Sequence, residues 1–127
     1  MYKAEAENPK DFARDTKVLP AEEPDSKVRI DFIFSFTSYE EQAIKNAKQI
    51  LIDNYPVRFG SCEDIIIHKM VAGRAIDEED VKSILAKNKD VIDFKYTEKW
   101  ISEFGKIPEH EGILARFNIL LKNNQIQ

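Results

Sequence analysis

One cysteine, four glycines and two histidines are few for a chain of 127 residues, and each scarcity excludes something. Cys62 alone rules out an internal disulfide framework and suits a reducing, cytoplasmic setting. A place beside a helix start can lower a thiol pKa, but no histidine arrangement surrounds Cys62, so it does not mark a catalytic thiol. With so few glycines there is no glycine-rich phosphate loop of familiar spacing, and Gly60-Ser61 is an isolated pair. His68 has Asp64 four residues upstream but no second histidine or cysteine at ligand spacing, and His110 falls in a loop, so neither marks a zinc site. No apolar run approaches the roughly 18 residues a membrane helix requires, and the N-terminus is too charged for a signal peptide. Basic residues do not dominate: 19 Lys and Arg are interspersed with 23 Asp and Glu, which leaves no nucleic-acid footprint. What is present, 43% hydrophobic and 33% charged residues, describes one globular domain over residues 1–127 with a real core.

The stretch Val28-Arg29-Ile30-Asp31-Phe32-Ile33-Phe34-Ser35-Phe36 sets the frame. Its even-numbered residues put five apolar side chains on one face of an extended chain. Branched and aromatic residues at nearly every position predict a strand covered on both sides. Asp31 stands in the middle of the second face, where a carboxylate is costly to bury unless paired. An ion pair with Arg29, a lysine from a covering helix, or exposure at a sheet edge would each accommodate it.

Upstream, Asn8-Pro9 opens a short helix, and Thr16–Leu19 can form a hairpin with 28–36, the prolines marking its outer end. Downstream, Ser38 and Glu41 form a capping box for an amphipathic helix over 39–53, carrying Ala43, Ile44, Ala47, Ile50 and Leu51. Asn54-Tyr55-Pro56 stops it before a short strand at Val57-Arg58-Phe59. That order predicts a parallel crossover. Ser61 caps the next helix, with Asp64 three residues on. Ile65, Ile66, Ile67, Met70, Val71 and Ala72 make it the most buried one, and Gly73 ends it. Asp77 caps a further helix, Thr97 a fourth closed by Gly105, and the last runs from about Glu109 to Lys122. The sheet part spans about 12–60 and the helical part about 61–122. The fold is α/β or α+β, a small mixed sheet of about three strands covered by four to five helices.

The densest charged constellation lies between Glu63 and Val81. Lys69 sits inside a strongly apolar helix, and Arg74 sits at the junction with the next. A buried lysine needs a carboxylate or a ligand phosphate, and Asp80, Asp77 and Asp31 are the natural partners. A Lys69/Arg74–Asp80 bridge fixing the angle between two helices accounts for these residues as well as a site does.

The combination Glu63-Asp64-x-x-x-x-Lys69-x-x-Ala72-Gly73-Arg74-x-x-Asp77-x-x-Asp80-Val81 resembles the C-terminal half of small bacterial and archaeal nucleotidyltransferase-like proteins. These belong to the polymerase-beta-type nucleotidyltransferase superfamily and include relatives of abortive-infection toxins. Thr16-Lys17-Val18-Leu19-Pro20 and Val28–Phe34 extend the resemblance to roughly residues 12–88. It implies divalent metal, Mg2+, at a nucleoside triphosphate, in the logic of two-metal phosphoryl-type transfer. By position it makes Asp31 the third metal carboxylate and Lys69 the helix lysine facing the phosphates. Arg74 and Asp80 complete the nucleotide-binding set.

The family pattern begins with Gly-Gly or Gly-Ser, followed by Asp-x-Asp or Asp-x-Glu on a strand, and this sequence has no such segment. The resemblance therefore implies a member without its first strand pair, lacking two of three metal carboxylates and inactive as a transferase by itself. The exposed sheet edge left at 16–19 or 28–36 implies a homodimer or a protein partner. A non-catalytic interaction module, antitoxin-like or regulatory, is the alternative from another class, and a fold remnant without ligand the third.

Overall fold

A computed structural model describes residues 3–4, 8–35 and 37–126 of the chain. The class is α+β, built as two compact units, residues 1–42 and 43–127. No helix among the described residues is long and apolar enough to cross a membrane.

The first unit holds β1 (Lys3–Ala4), α1 (Pro9–Thr16), β2 (Val18–Glu22), β3 (Arg29–Ile33) and the first half of α2 (Ser38–Asn46). Pro9 starts α1 with a preset φ and no N–H to waste, and the Asn8 side chain accepts the Asp11 N–H at 3.3 Å. The expected hairpin forms: β2 and β3 pair antiparallel from Val18↔Ile33 to Glu22↔Arg29, with β1 on the far side of β2. Pro20 lies within β2 rather than at its end, opposite Asp31. The flanking bonds Phe34 N–H to Lys17 O (2.8 Å) and Glu23 N–H to Val28 O (2.9 Å) place this pair at a step of the ladder that needs no N–H, so the proline is tolerated.

Two expectations about this strand are corrected. It ends at Ile33 rather than reaching Phe36, which lies outside the described residues. Nor is it covered on both sides: only Ile30 is half-buried, whereas Val28, Phe32, Ile33 and Phe34 are exposed. Among the described residues α1 packs against β2, and both faces of β3 keep exposed side chains.

The α2 cap is one residue earlier than expected. Thr37 and Glu40 form the capping box, with Thr37 N–H donating to Glu40 Oε2 (3.0 Å) and Glu40 N–H to Thr37 Oγ1 (3.3 Å). The helix also stops at Asn46 and does not continue to residue 53. Lys48–Ile52 is strand β4, pairing antiparallel with β5 (Tyr55–Phe59). The two-residue turn Asp53-Asn54 has φ of 49° and 63°, the left-handed pair that a tight hairpin requires and Asp and Asn tolerate. The apolar spacing of Ile44, Ala47, Ile50 and Leu51 fits a helix, but Ile50-Leu51-Ile52 before Asp-Asn favours a strand. Both sheets are thus antiparallel, replacing the mixed sheet and parallel crossover.

The rest of the second unit is helical: α3 (Cys62–Ala72), α4 (Ala75–Asn88), α5 (Phe94–Phe104), a 3-10 turn (Pro108–His110) and α6 (Ile113–Asn123). Helix α3 contacts α4, α5 and α6, but its apolar residues are not all covered: Ile65 is exposed, and α6 buries as many residues as α3 does. Ile66, Ile67 and Met70 are fully buried there with Val81, Leu85, Ile101, Ile113 and Phe117 from its neighbours. Gly73, at φ 67°, ends α3 in the left-handed conformation that a side chain would strain. Three boundaries differ from the sequence reading. Asp77 is a third-position residue of α4, whose cap is Arg74; Asp93, not Thr97, caps α5; and α6 starts at Ile113 behind Gly112, not at Glu109. Thr97 is fully buried and donates its hydroxyl to Asp93 O at 2.9 Å.

Phe117 is the largest of these wholly buried side chains. Phe117→Ala is expected to lower unfolding free energy by about 3–5 kcal/mol, measured by urea denaturation followed by far-UV circular dichroism.

Candidate functional site

The connection between α3 and α4 is short, so it brings the basic end of α3 against the acidic start of α4. Lys69 lies on the last turn of α3, Arg74 caps α4, and Asp77 and Asp80 follow on its first turns. Lys69 Nζ donates to Asp80 Oδ2 at 2.7 Å and stands 3.6 Å from Asp77 Oδ1. Arg74 grips Asp77 with two donors, Nε to Oδ2 at 2.7 Å and Nη2 to Oδ1 at 3.1 Å. Its own backbone N–H meets Oδ2 at 3.2 Å. Asp77 is 2% exposed and thus a buried carboxylate answered by two cations and a backbone donor, the condition under which burial is tolerable. On the other side, Arg116 of α6 places Nη2 3.5 Å from Met70 O and Nε 3.9 Å from Glu78 Oε1.

These contacts fix the charges. Bonding to Arg74 holds the Asp77 carboxyl below its ordinary range. Bonding to Asp80 raises Lys69 above its ordinary value, and bonding to Asp77 does the same for Arg74. Chemically, the junction offers permanently charged cations for anion binding. Lys69 retains partial exposure, 29%, and its ammonium has three donors, of which Asp80 takes one.

A second polar cluster lies at the other end of α3. Ser61 caps the helix by accepting the Asp64 N–H (3.1 Å) and donates its hydroxyl to Asp64 Oδ2 (2.7 Å). Asp64, 2% exposed, also accepts the Tyr96 hydroxyl at 2.8 Å, and Asn46 Nδ2 donates to that same hydroxyl oxygen at 3.1 Å. Burial, followed by the bond to the Asp64 carboxylate, pushes the Tyr96 phenol well above its ordinary pKa, so it serves as a fixed donor. The Ser61-x-x-Asp64 half is visible in the sequence; Tyr96 and Asn46 carry no local signal.

Lys69, Arg74, Asp77 and Asp80 are therefore brought together, as the sequence anticipated, with Asp80 on Lys69 and Asp77 taking Arg74. Asp31 belongs to the first unit, exposed on β3, with Arg29 Nε 3.6 Å from its Oδ1. The helix start does not lower the Cys62 thiol: burial, helped by Glu63, pushes it up despite the nearby Lys48. His68 is exposed, and among the described residues no group of three His, Cys, Asp or Glu side chains could hold a metal ion.

Residues 11–118 match a family model described as a nucleotidyl transferase of unknown function. No curated protein and no solved structure matches the chain.

Two predictions follow the two clusters. Because the Asp77 pKa is lowered on folding, its stabilising contribution is present above the ordinary aspartate range and is lost as pH falls through the depressed folded value. Asp77→Asn should lower the thermal midpoint at neutral pH and flatten its fall on acidification, both read in a pH series of melting curves. Tyr96→Phe should cost about 1–2 kcal/mol in chemical denaturation, because it leaves the buried Asp64 one donor short.

Proposed function

The chain belongs to a family described as nucleotidyl transferases of unknown function, and from that premise we propose that it keeps nucleotide binding without completing the transfer reaction alone. The observation that carries this reading is the α3–α4 junction, where Lys69 and Arg74 stand on an apolar helix end as two permanently charged, partly or largely exposed cations. Guanidinium and ammonium groups so placed suit phosphate oxygens, Arg74 as a planar fork and Lys69 as a point charge. Asp80 holds the Lys69 ammonium in place and leaves it donors for a phosphate. Nucleoside triphosphate is the ligand class this reading assigns, and the polymerase-beta-type superfamily the setting.

The described residues do not by themselves fit a resident magnesium ion. Asp31 is one carboxylate with an arginine 3.6 Å away, whereas a hard cation draws on several oxygen ligands. In this reading Mg2+ arrives with the nucleotide, whose phosphates and waters supply its oxygens. Asp31 is assigned no catalytic step in this reading. The absence of three grouped acidic or histidine ligands among the described residues is why the reading stops at binding.

Calorimetric titration with ATP, GTP, CTP and UTP, with and without Mg2+ or Mn2+, tests this. Saturable, metal-assisted binding is expected, lost in Lys69→Ala and weakened at least tenfold in Arg74→Ala. Absence of binding to any of the four, with Lys69→Ala merely lowering the melting temperature, would overturn it and leave the junction as a helix-pairing bridge.

A further inference from the structure

The open face of the β2–β3 hairpin carries a self-complementary pattern. The bonds from Phe34 N–H to Lys17 O and from Glu23 N–H to Val28 O fix which residues of β3 turn toward β2. Pairs 17/34, 19/32, 21/30 and 23/28 face one another through the ladder, so Arg29, Asp31 and Ile33 direct their main-chain groups away from β2. In the described sheet β3 is an edge strand. Apart from half-buried Ile30 its side chains are exposed: Arg29 68% and Asp31 48% on one face, Val28 54% and Phe32 42% on the other. An edge strand offers its outward main-chain groups to another strand, and here the charges on it favour a partner of complementary charge.

We propose that β3 pairs antiparallel with β3 of a second copy about a two-fold axis through Ile30. Only residues with outward main-chain groups can bond across such an edge, which limits the axis to a few positions. With the axis at Ile30, each Arg29 lies opposite the partner's Asp31, giving two opposite-charge pairs and both rows of ladder bonds at once. Each Val28 then meets the partner's Phe32 on the apolar face. An axis at Asp31 would set two carboxylates against each other, and one at Phe32 would set Asp31 opposite the partner's Ile33, with no opposite-charge pair across the strands. Charge complementarity therefore selects a second copy of this chain and a single register. A single strand pair is small beside the ~1,200–2,000 Å² of stable complexes, so the dimer forms in proportion to concentration. The inference uses no residue of the α3–α4 junction, and failure of the nucleotide titration leaves it standing.

The register is tested by disulfide trapping in the full chain with Cys62→Ser. Ile30 and the partner's Ile30 would form a non-hydrogen-bonded pair, whose Cα separation of about 4.5 Å suits a disulfide. Ile30→Cys is expected to give a covalent dimer under mild oxidation, while Phe32→Cys and Ile50→Cys stay monomeric. Independently, light scattering over a concentration series should show a dimer whose midpoint Asp31→Arg raises about tenfold, with the swap Arg29→Asp/Asp31→Arg restoring it. A monomer at every concentration, trapping at Ile50→Cys instead, or failure of the charge swap to rescue would each overturn the proposal.

Discussion

Burial of one face of α3 against three other helices is the constraint from which the second unit is built. Ile66, Ile67 and Met70 occupy adjoining positions of one helix, and all three are wholly removed from water. At roughly 1.5–3 kcal/mol for each such side chain, this burial is a large favourable contribution, and it requires neighbours along one face of the helix. The helices α4, α5 and α6 supply them with Val81 and Leu85, Ile101, and Ile113 and Phe117. Because this face of α3 is packed against apolar neighbours, its buried polar partners gather at the helix ends, while His68 in mid-helix is exposed. Both polar clusters sit at those ends for that reason.

The two ends solve the same problem differently. At the N-terminal end a buried carboxylate, Asp64, is answered by neutral donors, Ser61 and Tyr96, with Asn46 completing the chain of bonds. At the C-terminal end Asp77 is answered by full charges, Arg74 and Lys69. Neutral donors lock a helix start and leave nothing over for a ligand. Cations at a junction that remains partly exposed retain donor capacity, and this separates a structural cluster from one able to receive an anion. The weak reach of Arg116 to Met70 O and Glu78 adds a third cation to that end of the helix.

The first unit is organised by a different balance. Its strands mix apolar residues with Glu22, Arg29 and Asp31, and among its described residues only Ala21 and Tyr39 are buried. Sheet faces of that composition are stable when something covers or extends them, and a lone hairpin is marginal in water. The alternation Arg29-x-Asp31 on an edge strand gives the exposed side of this unit both an attraction and a register. The family match covers most of both units, β3 included, while the self-complementary pattern belongs to β3 alone.

Local chemistry made several elements legible in advance. Asn8-Pro9, Ser61 with Asp64, and Gly73 announced their helix ends because a cap is a contact within three or four residues. The Lys69, Arg74, Asp77 and Asp80 cluster was legible for the same reason, since one short connection joins its two helices. The readings that failed were those where one pattern fits two periods or where burial decides. Ile50 and Leu51 satisfy helical spacing, but the Asp53-Asn54 turn and the pairing with β5 made them a strand. Asp77 and Thr97 have capping chemistry, but packing placed them one turn inside their helices. Alternation in Val28–Phe34 specified a strand and its faces; coverage of those faces depends on how much chain lies against them, which no local pattern encodes. By itself, then, the sequence determined helix ends, strand faces and the charge cluster, all consequences of short-range bonding. The tertiary structure decided that Tyr96 and Asn46 complete the Asp64 network and that β3 stays exposed, because both depend on contacts between residues far apart in the chain.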